Sequence, residues 1–313
     1  MATYSPTKTG LPGLTLIERI GNTPLIRLDR IAADFPGVQL LGKAEWTNPG
    51  GSVKDRPASA IVMDALHHQQ LCPGRRLLDA TSGNTGIAYA MLGAALGFGV
   101  TLCMPENVSP ERKRILQAYG AELVWTDPAD SSDGAIRKAR ELAQDPQYFY
   151  ADQYSNDNNW RAHYHSTGPE ILDQTDGRVT HFLAGMGTSG TFTGVSRRLK
   201  ESNPEITCIA VQPDSPFHGL EGMKHYPTSI VPSIYDASVA DRTIEVETEA
   251  AYAMAKKLGK TEGLLVGISA AAAVVASLRV AEEEAAAGRE AMIVTVLPDS
   301  ADKYLSDRFW EEA

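Results

Sequence analysis

The chain has 313 residues, which is long enough to bury a substantial core and to form two domains. Its net charge of -10 and its pI near 5.2 argue against nucleic acid or an anionic membrane as the main partner, because both require clustered lysine and arginine. We therefore expect a small-molecule ligand.

The first residues, Met1 to Pro6, have no apolar core of the kind that a secretory signal needs. The longest nearly apolar runs, residues 87–100 and 264–278, fall short of the roughly 20 residues that span a bilayer. The cysteines are far apart, and the histidines lack metal-ligand spacing. We expect a cytoplasmic protein that has no disulfide framework, binds no metal and does not associate with a membrane.

Short apolar runs that alternate with amphipathic helices predict an α/β fold with mostly parallel sheets flanked by helices. In the first half of the chain we predict strands over residues 38–46, 75–81, 99–105, 121–127 and 147–152. Ser109-Pro110-Glu111 supplies a cap, a first-turn proline and a favourable charge for a helix that Gly120 ends.

The first of three glycine-rich turns, Asn48-Pro49-Gly50-Gly51-Ser52-Val53-Lys54-Asp55-Arg56, lies between the first predicted strand and a helix. A lysine held where a tight turn meets a helix can act as a point charge. If burial lowers its pKa, it can instead act as an amine nucleophile that forms a Schiff base. The alternative is an exposed lysine on the first turn of an ordinary helix.

The second turn, Thr81-Ser82-Gly83-Asn84-Thr85-Gly86, directly follows a predicted strand and precedes an uncharged helix. Hydroxyls and backbone N–H groups gathered at the start of a helix form an anion site that suits a carboxylate. The alternative is a plain strand-to-helix turn in which Ser82 or Asn84 caps the helix.

In the second half of the chain we predict strands over residues 180–185, 207–214 and 290–299, and helices over residues 190–202, 248–258 and 270–287. The pattern predicts two α/β domains. The smaller comprises residues 46–158, and the larger comprises residues 1–45 and 159–313. Residues 153–161 are polar and suit a loop or hinge at the crossing, while residues 215–236 suit a long ordered loop of the kind that is often functional.

The third turn, Gly185-Met186-Gly187-Thr188-Ser189-Gly190-Thr191, fits the G-x-G-x-x-G pattern, so an NAD-dependent oxidoreductase is a rival hypothesis. A dinucleotide site needs an acidic residue at the end of the next strand, but that strand ends in Gln212-Pro213. The three hydroxyls of the loop suit a terminal phosphate monoester better than a pyrophosphate packed against bare backbone. Three such turns would give a pyridoxal phosphate (PLP) enzyme its reactive lysine, its carboxylate site and its phosphate site.

Ser269 precedes an alanine-rich helix. It is therefore expected to be an N-cap, and its hydroxyl could also face the pyridine nitrogen of PLP.

From Gly21-Asn22-Thr23-Pro24-Leu25 to Lys303-Tyr304-Leu305, the ordered motifs resemble those of the cysteine synthase (O-acetylserine sulfhydrylase) family, which has the tryptophan synthase β-subunit fold. The resemblance implies PLP as the cofactor and Lys54 as its Schiff-base residue. It places Asn84 at the cofactor's 3-hydroxyl and Ser269 at the pyridine nitrogen. The implied phosphate-binding residues are Gly187, Thr188, Ser189, Gly190 and Thr191. The implied substrate-carboxylate residues are Thr81, Ser82, Asn84, Thr85 and Gln153.

The segments Met104-Pro105-Glu106-Asn107-Val108-Ser109-Pro110-Glu111-Arg112 and His163-Tyr164-His165-Ser166-Thr167-Gly168-Pro169-Glu170 are most similar to the branch called cysteine synthase B. Two segments depart from the family pattern. Ala270-Ala271 stands where a hydroxyl residue and a glycine are usual. Leu297-Pro298-Asp299-Ser300-Ala301-Asp302 is closer to cystathionine β-synthase, which condenses serine or an activated serine with homocysteine and is the alternative function.

The resemblance implies a β-replacement that makes L-cysteine from O-acetyl-L-serine or O-phosphoserine and sulfide through an aminoacrylate intermediate, with Lys54 moving the Cα proton. A serine at the pyridine nitrogen, unlike an aspartate, does not hold that nitrogen protonated, which favours β-elimination over transamination. Lys224, in the long predicted loop, is a candidate specificity residue for a phosphate donor, and the alternative is a solvated surface charge. The family resemblance also implies a homodimer.

Overall fold

The computed structural model describes residues 14–81 and 83–311. Two features of the sequence analysis lie outside the described residues: the amino terminus from Met1 to Pro6, and Ser82 of the second glycine-rich turn.

The described residues form two sheets with helices packed on their faces. The strands are β1 (Leu25–Arg27), β2 (Val38–Ala44), β3 (Arg76–Ala80), β4 (Gly99–Pro105), β5 (Glu122–Thr126), β6 (Tyr148–Tyr150), β7 (His181–Gly185), β8 (Thr207–Pro213), β9 (Arg242–Val246) and β10 (Ala291–Leu297). The α-helices are α1 (Asp55–His67), α2 (Asn84–Leu96), α3 (Pro110–Ala118), α4 (Ser131–Leu142), α5 (Asn158–His165), α6 (Thr167–Gln174), α7 (Gly190–Ser202), α8 (Thr248–Thr261) and α9 (Ile268–Ala286).

The smaller sheet has the strand order β5-β4-β3-β6 and is entirely parallel. The larger sheet has the order β1-β2-β10-β7-β8-β9, in which only β1 pairs antiparallel. The central strand β10 is buried along its whole length, which explains its continuous apolar run. The predicted α/β fold class with mostly parallel sheets is confirmed.

All the predicted strands are present, and most of their bounds differ by a residue or two. Two strands of the larger sheet were not predicted. β1 has three residues, too few to show a period, and β9 is an edge strand that buries only Ile244 and Val246. The cap of α3 is confirmed, since Ser109 Oγ accepts from the Arg112 N–H at 3.5 Å and Gly120 takes a φ of +81°.

The prediction of a loop over residues 153–161 is wrong from Asn158 onward, where α5 begins. The segment is polar although it is helical, because a polar side chain of α5 is buried and forms hydrogen bonds there. The Asn159 side chain donates to the Gln153 carbonyl oxygen at 2.6 Å and to Thr188 Oγ1 at 3.1 Å. Residues 215–236 contain no helix or strand, as predicted.

The glycine-rich turns all lie at the carboxyl ends of parallel strands. The Lys54 turn comes shortly after β2, the Thr81 turn after β3 and the Gly187 turn after β7, while Asp299 follows β10. Open α/β sheets bind their ligands at this end of the strands. The chain topology therefore brings the three turns toward one region.

No helix in the described ranges combines the length and apolar character needed to cross a membrane. The same ranges contain no cluster of histidine, cysteine and acidic side chains suited to a metal ion. Cys72, Cys103 and Cys208 are unpaired, and the last two are buried.

Candidate active site

A cavity of about 280 Å³ collects residues from all three glycine-rich turns. The predicted site residues in its wall are Lys54, Thr81, Asn84, Thr85, Gln153, Gly187, Thr188, Thr191, Lys224 and Ser269. Ser189 and Gly190 belong to the same turn as Gly187 but do not line the cavity. Residues that are up to about 215 positions apart in the chain, such as Lys54 and Ser269, thus meet in one cavity.

Lys54 is half-buried in the cavity wall immediately before α1. The preceding turn is tied to the end of β10, because the Val53 N–H donates to the Pro298 carbonyl oxygen at 2.8 Å. Burial lowers the pKa of Lys54, although the charges of Asp299 and Glu45 oppose the shift. The alternative of an ordinary exposed lysine is therefore wrong, and the side chain has the environment of an amine nucleophile.

The turn that presents Lys54 leaves no room for larger side chains. The Gly50 N–H donates to Asp55 Oδ2 at 2.5 Å, and a Cβ at Gly50 would lie 2.5 Å from Asp55 Oδ1. Gly51 takes a φ of +79°, a conformation that favours glycine, and its carbonyl oxygen accepts from Lys303 Nζ at 3.1 Å. Burial raises the pKa of Asp55 to about 7.

A buried ion-pair network lies beneath the lysine. Arg56 donates to both carboxylate oxygens of Glu45 at 2.8 Å and to both of Glu170 at 2.7 Å. Lys43 Nζ donates to Glu170 Oε2, also at 2.7 Å. Burial raises the pKa of Glu170, but the hydrogen bonds from Arg56 and Lys43 outweigh this effect and lower the pKa to about 2. The network fixes the start of α1 against β2 and α6.

The second turn joins Thr85 to Gln153. Thr85 Oγ1 donates to Gln153 Oε1 at 2.8 Å, and Gln153 Nε2 donates to the Ala80 carbonyl oxygen at 3.2 Å. The amide of Gln153 keeps one N–H that is not used in these bonds. Asn84 does not cap α2, since its Nδ2 donates to Asp299 Oδ2 at 2.7 Å and Gly83 stands at the cap position.

The third turn is shaped to receive an anion. Ser189 takes a φ of +69° directly before α7, whose 13 residues point their first N–H groups at the turn. A Cβ on Gly187 would lie 2.3 Å from the Gly222 carbonyl oxygen, and one on Gly190 would lie 2.0 Å from Asn159 Oδ1. Only glycine fits at these two positions, because the turn packs closely against the long loop at Gly187 and against α5 at Gly190.

Ser269 lines the cavity as the second residue of α9, but it is not an N-cap as predicted. Gly267 holds the cap position, and no side chain completes a cap hydrogen bond there. Ala270 and Ala271 are fully buried and do not line the cavity. The departure of these two alanines from the family pattern therefore does not alter the cavity wall directly.

The residues of the cavity wall that were not predicted as site residues include Arg112, Tyr154, Glu221 and Tyr304. Arg112 of α3 is buried and forms an ion pair with Glu221 of the long loop. The Arg112 guanidinium carbon also lies 5.2 Å from the centre of the Tyr304 ring. Lys224, from the same loop as Glu221, lies with its Nζ 5.1 Å from the ring centre of Tyr154, and burial lowers its pKa.

This fold and this cavity define an enzyme that uses PLP. Residues 16–299 match the family model described as pyridoxal-phosphate dependent enzyme, and the chain belongs to that family. The family match gives no support to the dinucleotide hypothesis for Gly185, Gly187 and Gly190.

Within the family, the chain is similar to cysteine synthases. It is 51% identical over 302 residues to a cysteine synthase of Aquifex aeolicus, covering 95% of this chain and 92% of the relative. It is 41% identical to cysteine synthase B of Pseudomonas aeruginosa, covering 95% of this chain and 97% of the relative. A crystal structure of cysteine synthase (OASS) from Entamoeba histolytica has a TM-score of 0.90 at 35% identity and covers 100% of this chain and 94% of that chain. The predicted family resemblance is confirmed.

The residues present fit the PLP cofactor. One buried side-chain oxygen of the cavity wall, Asn84 Oδ1, has no hydrogen-bond partner among the described residues. A buried polar atom without a partner costs free energy unless a ligand supplies one. Lys54, whose pKa is lowered by burial, and the start of α7, which suits an anion, complete the set.

Proposed function

We propose that this protein makes L-cysteine from an activated L-serine, O-acetyl-L-serine in the first place, and sulfide by PLP-dependent β-replacement. One observation carries the proposal. Lys54, residues of the second and third glycine-rich turns, and Ser269 all line a single cavity. The names of the similar cysteine synthases support the same substrate class.

We assign the cofactor contacts by residue. Lys54 would hold PLP covalently, and the turn from Gly187 to Thr191 would bind its phosphate at the start of α7. Asn84 would contact the 3-hydroxyl and Ser269 the pyridine nitrogen. When bound, PLP withdraws electrons from the α-carbon of an attached amino acid, which acidifies the α-proton and allows a β-substituent to leave.

Lys54 supplies the proton transfer in this proposal. Burial lowers its pKa, which favours the neutral amine that accepts the Cα proton, and the resulting ammonium can return a proton later. The cavity wall around it includes Val53, Val296 and Met223, which limit the access of water. Ser269, as a neutral hydroxyl, adds no charge at the pyridine nitrogen.

The substrate carboxylate is proposed to bind at the start of α2. Thr81, Thr85 and Gln153 line the cavity there, and the free N–H of the Gln153 amide can donate to an anion. Thr85 and Gln153 already bond each other at 2.8 Å, so both are held in place before the substrate arrives. This arrangement orients the amino acid at little entropic cost.

We further propose residues 46–158 as a smaller domain and residues 1–45 with 159–313 as a larger one, since the smaller sheet lies wholly within the first range. We also propose a cytoplasmic homodimer on the strength of the family resemblance.

The experiment that tests the proposed function measures both candidate products. The purified protein is incubated with O-acetylserine, O-phosphoserine or serine, each with sulfide or with homocysteine, and the amino acids formed are quantified by chromatography. We expect rapid cysteine formation from an activated serine and sulfide. Cystathionine as the main product would instead support the cystathionine β-synthase alternative, to which the segment from Leu297 to Asp302 is similar.

A further inference from the structure

A smaller cavity of about 120 Å³ lies beside the active-site cavity. Tyr154 and Lys224 belong to the walls of both cavities, so these two side chains form the boundary between them. Gln153, which is proposed to hold the substrate carboxylate, directly precedes Tyr154 in the chain. The shared wall therefore lies next to the proposed position of the amino-acid substrate.

The smaller cavity is in contact with solvent. Among the residues of its wall, Ile230 is 50% exposed and Val231 is 47% exposed. Arg140 of α4 and Ser155 belong to the same wall and are exposed as well. The smaller cavity thus extends from solvent to the wall that it shares with the active site.

The charge and size of the smaller cavity suit a small anion. Its wall contains two cationic side chains, those of Arg140 and Lys224, and one carboxylate, that of Asp152. Lys224 Nζ forms no salt bridge or hydrogen bond with the described residues, so it can donate to an anion. Because one molecule of liquid water takes up about 30 Å³, the cavity has room for an ion as small as hydrosulfide.

The backbone of the shared wall is fixed, whereas its lysine side chain is weakly held. The Lys224 N–H donates to the Met186 carbonyl oxygen at 2.8 Å, and Ser233 Oγ donates to the Tyr154 carbonyl oxygen at 3.4 Å. Lys224 Nζ lies 5.1 Å from the centre of the Tyr154 ring, a cation–π contact worth about 0.5–2 kcal/mol. Thermal motion of the lysine side chain is therefore enough to join the two cavities.

We propose that the smaller cavity is the route by which hydrosulfide, the nucleophile of the proposed reaction, reaches the active site. This inference rests on the proposed PLP-dependent function. The bound amino acid occupies the active-site cavity when the nucleophile arrives, and a separate route lets the nucleophile reach the β-carbon without passing the substrate carboxylate. Acetate has by then left with its bonding electron pair, a sulfur lone pair forms the new bond to the β-carbon, and Lys54 returns the proton to Cα.

The test measures the two halves of the reaction separately on purified holoenzymes. Stopped-flow absorbance gives the rate constant with which O-acetylserine changes the visible cofactor band and the rate constant with which added sulfide restores it. Ser155→Trp places a large ring in the smaller cavity, and Ser202→Trp, at an exposed serine outside both cavities, is the matched control. We expect Ser155→Trp to lower the sulfide rate constant at least about tenfold, as for a blocked route, and to leave the O-acetylserine rate constant unchanged. The control keeps both rate constants.

A second comparison tests the charge of the route. Arg140→Gln removes a cation from the wall of the smaller cavity, and Arg137→Gln, on the same helix but outside the cavity, is its control. We expect Arg140→Gln to lower the sulfide rate constant about threefold and to weaken its dependence on ionic strength, because an anion is then attracted less strongly.

The outcomes separate the inference from the proposed function. A wild-type sulfide rate constant in Ser155→Trp or in Arg140→Gln would overturn the inference alone. An equal slowing of the O-acetylserine step would also overturn it, because the substitution would then disturb the whole active site and not a route for sulfide. A wild-type protein whose cofactor band does not respond to O-acetylserine would overturn the proposed function and the inference with it.

Discussion

Replacing Arg56 with methionine removes the cation that joins the buried Glu45 carboxylate to the partly buried Glu170 carboxylate beneath Lys54. Arg56 is 3% exposed and Glu45 is fully buried, and both oxygens of each of Glu45 and Glu170 accept from the guanidinium. Methionine fills a similar volume but leaves Glu45 without a cationic partner. Breaking a buried ion pair from one side costs about 3–5 kcal/mol, because the remaining charge stays desolvated.

For a chain of this size, that loss lowers the thermal midpoint by roughly 5–8 °C. Differential scanning calorimetry of the apoprotein measures it without a contribution from cofactor binding. Arg242→Met is the matched control, since Arg242 pairs with Glu283 at 2.6 Å on the surface, where an ion pair is worth at most about 1 kcal/mol. Equal shifts in the two variants would refute the reasoning that burial makes the Arg56 network costly to break.

Three further predictions concern the turns, the loop and the ion network. Gly187→Ala places a Cβ 2.3 Å from a backbone carbonyl oxygen, so we expect at least about tenfold weaker PLP retention on dialysis. The control is Gly259→Ala in α8, whose Cβ would meet only a leucine methyl at 3.2 Å and should leave PLP retention unchanged. If Lys224 binds phosphate, Lys224→Ala should lower the ratio of kcat/KM for O-phosphoserine to kcat/KM for O-acetylserine by about tenfold. The control is Lys113→Ala, which removes a lysine that also lies over an aromatic ring but is outside the cavity. An unchanged ratio for Lys224→Ala would exclude the role. The folded-state pKa of Glu170 is about 2, below its ordinary 4.5, so its contribution to the free energy of unfolding is complete above pH 4.5 and is lost as the pH falls toward 2. Glu170→Gln should flatten this part of the pH dependence of the free energy of unfolding, measured with urea. A variant with the wild-type slope would contradict the assignment.

The glycine-rich turns could be predicted from the sequence because their chemistry is local. A lysine at a turn, hydroxyls before a helix and glycines after a strand each produce a pattern within ten residues, as for Lys54 and the turn from Gly187 to Thr191. Parallel-strand topology then places such turns at one edge of each sheet.

The supporting contacts could not be predicted, since they join residues far apart in the chain. Arg112 and Glu221 pair across 109 positions, and Asn84 and Asp299 bond across 215. No local sequence pattern marks such pairs of residues. Ser269 shows that a local pattern can also mislead. The sequence favoured an N-cap at this position, but the helix begins two residues earlier than predicted, which leaves the hydroxyl free to line the cavity.

The most direct test of the central claim is an absorbance titration of the purified protein and its Lys54→Ala variant with O-acetylserine in the absence of a sulfur donor. We predict that the wild-type protein has a visible cofactor band, that O-acetylserine changes this band and that added sulfide restores it. The variant should lack covalently bound PLP and should not show this cycle. A Lys54→Ala protein that keeps covalent PLP and the full spectral response would contradict the account.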